Sequence, residues 1–431
     1  MNWEAIYRRK IADIDTALAC IKSGDRVYLG GGAGVPVTLV EGLTRRAPEL
    51  RTVEIVHILT FADAPYVDPQ YEGIFRHNAL FIGPNVRCAV QEGRADFTPI
   101  FLFEIPRLFR DGTLPLDVAL ISLSPPDEHG FCSFGVEVGA TKPAAEVART
   151  VVAAVNQRMP RTLGDSFIHV SRLHHIVEVD HALPEAPQGG SSELHLRIGQ
   201  IIAEMIPDGA TLQMGLGSIP DAVLQNLGTH KDLGIHTELF SDGVIDMVEA
   251  GVITCARKTF HPGKIVAGFS FGSERLYQFV HNNPIIELHP TDYVNDPFNI
   301  AQNEKMVSIN SALQVDLTGQ VCADTMGPHF YSGVGGQVDF IRGAARSKGG
   351  LPIIALLSTA REDTVSRIVP MLDEGAGVVT TRNDVHYVVT EHGVASLHGK
   401  TVRQRARELI NIAHPQFRDE LTKSACDLGY L

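Results

Sequence analysis

Residues 207–227 read PDGATLQMGLGSIPDAVLQNL, and residues 23–43 read SGDRVYLGGGAGVPVTLVEGL. Aligned without gaps, Gly31 meets Gly215, Pro36 meets Pro220 and Leu43 meets Leu227. Each stretch is a turn, a short apolar strand, a glycine-rich loop and an amphipathic helix. A helix-like segment precedes each one. Before the second, ELHLRIGQIIAEMI sets Leu194, Ile198, Ile201, Ile202 and Met205 on one helical stripe. Two similar α/β halves are the simplest account, against a chance likeness of two common units. Asp180–Glu193, DHALPEAPQGGSSE, is rich in Pro, Gly and Ser and reads as the linker between them. The expected domains are therefore 1–185 and 191–431. The runs DVALISLS, KIVAGFSFG and LPIIALLS alternate with helical stretches, which predicts mostly parallel, buried strands.

The chain has 431 residues, 44% hydrophobic and 20% charged, with a formal charge of −13. That is ordinary globular composition. Lys and Arg are scattered, with no basic run and no aromatic–basic interleaving, so nucleic acid is not an expected partner. The N-terminus reads as a surface helix rather than a signal peptide. No stretch approaches the roughly 18 apolar residues of a membrane span. The six cysteines are too far apart for a CxxC motif, consistent with free thiols and a cytoplasmic location. HVSRLHH, with His169, His174 and His175, has no zinc-site spacing, and no metal is expected.

One carboxylate stands out. In GIHTELF, Ile235, Thr237 and Leu239 share one strand face, and His236, Glu238 and Phe240 share the other. SDGVIDMVEAG then predicts a helix capped by Ser241 or Asp242 and ended at Gly251. Glu238 would thus lie near the carboxyl end of a strand, the edge where ligand sites gather in α/β sheets. On this pattern alone it is either a site residue or a solvated, paired glutamate. Gln213, Met214, Gly215 and Gly217 form a second candidate, a loop whose glycines permit close backbone approach ahead of a helix near Pro220. It is neither a Walker loop nor a complete GxGxxG, and a plain strand-to-helix turn is the alternative. Gly333, Val334, Gly335 and Gly336 form a third, a loop able to offer N–H donors to an oxyanion, or a tight turn. Asp127, Glu128 and His129 in SPPDEHGFCS read as a dyad or as a polar turn.

Taken in order, QMGLGSIPDAV, HTELFSDGVIDM, SINSALQVDLTGQV and YSGVGGQVDFIRGAA resemble the acetyl-CoA hydrolase/transferase family. SPPDEHGFCSFGVEV and MPRTLGDSFIHVS narrow the resemblance towards 4-hydroxybutyrate and butyryl-CoA:acetate CoA-transferases. It runs roughly from Ala33 to Leu397. It implies two CoA-transferase-type α/β domains with the active site between them, and Glu238 as nucleophile. It implies that Gly333–Gly336 bind CoA and stabilise an oxyanion, that Gln213–Gly217 line the same cleft, and that Asn303 contributes. Coenzyme A would be a substrate, with no permanently bound cofactor, and short-chain carboxylic acids its partners. A homodimer or larger assembly is implied too. Gly139-Ala140 departs from the bulkier residues expected there. The attacking glutamate is expected ionised at neutral pH, as an unshifted carboxylate would be. A hydrolase using the same glutamate and a non-catalytic CoA or metabolite sensor are the rival readings.

Overall fold

The computed structural model describes residues 2–187 and 189–431. It divides into two compact units, Met1–Pro187 with Val266–Val294, and Gln188–Ile265 with Asn295–Leu431. No helix among the described residues is long and apolar enough to cross a membrane.

The first unit is built on seven strands: β1 (Arg26–Leu29), β2 (Val53–His57), β3 (Phe75–Ala79), β4 (Asp96–Phe97), β5 (Val118–Leu123), β6 (Thr150–Asn156) and β7 (His175–Val179). They lie in the order β4-β3-β2-β1-β5-β6-β7, all parallel. VALISL is buried at every position, as a central strand covered on both faces must be. The helix Val37–Arg45 follows the glycine-rich turn after β1 and lays Leu39, Val40 and Leu43 onto the core.

The second unit repeats the plan. The strands of its main sheet include β8 (Thr211–Met214), β9 (Gly234–Phe240), β10 (Met306–Ser311), β11 (Leu351–Ala355), β12 (Tyr387–Thr390) and β13 (Gly393–Ser396). They run β9-β8-β10-β11-β12-β13, parallel except for the last hairpin. In both units the first strand lies between the second and a strand that enters later, so the echo in the sequence is an echo in topology. The helix Ser218–Gln225 follows β8 as Val37–Arg45 follows β1.

Local expectations met two exceptions. The helix Glu193–Met205 buries Ile198 and Ile202, but Leu194 is 41% exposed, so the apolar stripe does not extend to its first turn. The helix Gly243–Glu249 follows Asp242, yet no side chain caps it. Gly251 is left-handed (φ 73°) just past its end, as expected.

Candidate functional site

The site is assembled on the carboxyl side of the second unit's parallel strands. β9 carries Glu238 near its carboxyl end, partly buried between buried Thr237 and Leu239. The hydroxyl of Thr237 donates to the Met214 carbonyl at 2.9 Å, which fixes β9 against the end of β8. Gln213 is 5% exposed and accepts from the Ile309 N–H and from Asn310 Nδ2, both at 3.1 Å, joining β8 to β10. Gln213 and Met214 thus hold the strand ends, while Gly217 opens onto a cavity beside them.

The loop Gly333–Gly336 reaches Glu238 directly. Gly335 takes a left-handed conformation (φ 55°) that turns the chain into the helix Gln337–Arg346. The backbone N–H of Gly336 then donates to the Glu238 carboxylate. A Cβ on Gly336 would overlap both that carboxylate and the side-chain amide of Asn295, so space rather than backbone angle requires glycine here. The Gln337 amide nitrogen donates to the Ser311 carbonyl at 2.7 Å and anchors the start of the helix to the end of β10.

Two further residues complete the cluster. Asn295, fully buried, donates through Nδ2 to Glu238 Oε2 at 3.1 Å and to Asp339 Oδ2 at 3.4 Å. Both contacts run through the amide nitrogen, so the two carboxylates fix which way the amide faces. Its Oδ1 is buried without a hydrogen-bond partner among the described residues. Asn295 immediately precedes Asp296, whose carboxylate accepts from the Phe298 N–H and caps the helix Pro297–Ala301. That helix packs closely on Gln337–Arg346 where Ile300 meets Gly343. Asn303 sits beyond its other end, at 0% exposure. Its side chain donates to the Ile300 carbonyl at 3.2 Å, and its own carbonyl accepts from Ser347 Oγ at 2.5 Å. Its polar contacts therefore join the far ends of the two helices whose near ends carry Asn295 and Asp339.

The electrostatics differ from the expectation of an unshifted carboxylate. Burial pushes the Glu238 pKa from 4.5 up to about 7, against the opposing bonds from Asn295 and Gly336. A raised carboxylate pKa means the native state binds more protons than the unfolded chain between those values. Stability is then lost as pH rises from 4.5 towards 7. Glu238→Gln should remove that cost. The shift from 4.5 to about 7 corresponds to at most about 3 kcal/mol. Residual exposure of the side chain reduces the expected gain to about 1–2 kcal/mol. Melting curves should show the variant more stable above pH 7 and equal to wild type below pH 4.5.

The other sequence signals resolve into structure. Asp127 accepts from the backbone N–H of His129 and of Phe131, both at 2.9 Å, and pairs with Arg161 at 3.1 Å, so this segment is a polar turn. His174 Nδ1 accepts from the Val151 N–H at 3.0 Å, and His169 bonds Ser171. Gly139-Ala140 also has a physical reason. A Cβ at Gly139 would lie 2.9 Å from Oε1 of the buried Glu137, which accepts from the Ala140 N–H at 3.2 Å. Asn295 and Asp339 escape sequence reading. Asp339 falls inside the glycine-loop motif, three residues past Gly336, and is legible only once that loop opens a helix. Asn295 stands in TDYVNDPF with no pattern to mark it.

Duplicated parallel α/β units, the second bearing a desolvated carboxylate under amide donors at its strand ends, define a class of α/β protein equipped for carboxylate chemistry. Residues 1–185 match the acetyl-CoA hydrolase/transferase N-terminal domain and residues 272–425 its C-terminal domain. The chain belongs to the acetyl-CoA hydrolase/transferase family. It is 54% identical over 421 residues to the 4-hydroxybutyrate coenzyme A transferase of Clostridium kluyveri, covering 98% of both chains. It is 49% identical over 419 residues to a succinyl-CoA:acetate/propanoyl-CoA:succinate CoA transferase of Fasciola hepatica, covering 96% of this chain and 87% of that one. Among solved structures, the 4-hydroxybutyrate CoA-transferase of Porphyromonas gingivalis superposes with a TM-score of 0.87 at 45% identity, covering 99% of this chain and 100% of that one.

Proposed function

We propose that this chain is a CoA-transferase that moves CoA between a short-chain acyl-CoA and a free carboxylate through a glutamyl-CoA thioester on Glu238. The observation that carries the reading is the placing of Glu238 under two amide donors, Asn295 Nδ2 and the Gly336 N–H. A Glu238 oxygen attacks the thioester carbonyl, the C–S bond breaks, and the CoA thiolate leaves a mixed anhydride behind. The thiolate then attacks the Glu238 carbonyl carbon. The bond from that carbon to the bridging oxygen breaks, a free acid departs, and the glutamyl thioester remains. A second carboxylate reverses both steps. No net proton or electron is required, and the energy of the thioester is retained. Each attack on the Glu238 carbonyl builds negative charge on its oxygen, where the two donors already lie.

CoA enters as a substrate and leaves as part of a product, and no other cofactor is needed. The acids are short and unbranched, with acetate, butyrate and 4-hydroxybutyrate the first to try, in a cytoplasmic homodimer or larger assembly. Initial rates across a panel of acyl-CoAs and acids test this choice; it fails if such acids are poor substrates. Release of CoA from acetyl-CoA alone, as fast as with a second acid present, would instead identify a hydrolase.

The attacking form is the ionised one. Because burial raises Glu238 to about 7, kcat/KM for acyl-CoA should climb about tenfold per pH unit below that value and level off above it. A profile flat from pH 5 to 8 would contradict an attacking group with this pKa.

A further inference from the structure

The ends of β10 and β11, with the loop after β8, carry a cavity of about 210 Å³ that the chemistry at Glu238 leaves unused. Its floor includes Ser311 and Ala355, the last residues of β10 and β11. On one side begins the helix Ser218–Gln225, whose first turn no side chain caps. On another stands Arg367.

Arg367 is half-buried, and among the described residues no hydrogen bond or ion pair reaches its guanidinium. Its backbone is held from both sides. The N–H donates to the Ser358 carbonyl at 2.8 Å, and the carbonyl accepts from the Val315 N–H at 2.9 Å. The neighbouring counter-charge is Glu391, 3% exposed, but its carboxylate is engaged by the Ser358 N–H at 2.9 Å and by the Ser358 hydroxyl. Burial draws the Arg367 pKa down and the field of Glu391 opposes it, yet a guanidinium stays charged in proteins. A partly desolvated cation with a planar fork of donors calls for an oxyanion partner. Ser218 and Ile219, the first residues of that helix, line the same space, where the partial positive charge of a helix start also favours an anion. A neutral ligand would leave both uncompensated.

We infer that this cavity is an oxyanion subsite in which Arg367, with the start of the helix Ser218–Gln225, holds an anionic group of a substrate. Two sources share that chemistry: a phosphate of CoA, and the carboxylate of the acid. A cavity of about 210 Å³ accommodates either group. The inference rests on the CoA-transferase reading and adds a binding residue to it.

Arg367→Gln and Arg367→Lys are compared with wild type, using acetyl-CoA, acetyl-pantetheine (which lacks the phosphates), acetate and succinate. Loss of one charged hydrogen-bonding partner should raise the relevant KM about 10- to 100-fold, with partial recovery in the lysine variant. A rise for acetyl-CoA but not for acetyl-pantetheine assigns the subsite to a phosphate. A rise for the acids alone assigns it to a carboxylate. Unchanged KM for all four, with wild type transferring CoA, overturns the inference, as does a fall in kcat and melting temperature with KM unmoved. If wild type transfers no CoA, the functional reading has failed. Titration with inorganic pyrophosphate then decides the subsite: binding lost in Arg367→Gln supports it, and no binding to wild type overturns it.

Discussion

Glu238→Ala should abolish CoA transfer while leaving the fold intact. The proposed mechanism builds its covalent intermediate on Glu238 itself. Asp339 is 1% exposed on the helix Gln337–Arg346 and shares the Asn295 amide with Glu238. Removing such a nucleophile costs about 10⁴-fold or more in kcat. The measurement is the rate of butyryl-CoA formation from acetyl-CoA and butyrate, with a melting curve on the same preparation. The alanine variant no longer buries a carboxylate whose pKa stands at about 7, so its melting temperature should not fall much. Inactivity with an unchanged fold places the loss in chemistry. Retention of more than a tenth of the rate would remove Glu238 from the reaction.

Asn295→Ala carries the second largest expected effect. The amide of Asn295 donates to Glu238 Oε2 at 3.1 Å, within reach of the oxygen that would become an oxyanion in the proposed mechanism. Loss of one such donor costs about 100- to 1,000-fold in kcat. The same bond opposes the upward shift of Glu238, so its removal should move the acid limb of the pH–rate profile to higher pH. A merely structural asparagine would lower stability without moving that limb. Asn295→Asp should be worse still, because it would set a third carboxylate between Glu238 and Asp339. Gly336→Ala should be comparably damaging, since its Cβ would overlap the Glu238 carboxylate and the Asn295 amide.

Much of this architecture is readable from the chain itself. The gapless match of residues 23–43 with 207–227 anticipates two sheets with the same local strand order, because a strand, glycine turn and helix are specified by neighbours in sequence. Alternation in GIHTELF is enough to set Glu238 near a strand's carboxyl end, and the glycine spacing anticipates a loop ahead of a helix at Gln337. The protonation behaviour of Glu238 is not readable. It arises from burial by elements distant in sequence, 57 residues away in the case of Asn295. Asn303 shows the converse difficulty. An asparagine in a recognised stretch looks like a site residue, yet here its hydrogen bonds join two helix ends. Leu194 exposes the limit of periodicity, since a helical stripe is apolar only as far as a partner covers it.

A glutamyl-CoA intermediate is detected most directly by the intact mass of the protein after mixing with acetyl-CoA alone, with Glu238→Ala alongside. A mass increase equal to CoA less one water is expected on wild type, absent from the variant and discharged by added carboxylate. Free CoA accumulating with no adduct on wild type, or an adduct that survives in Glu238→Ala, would contradict it.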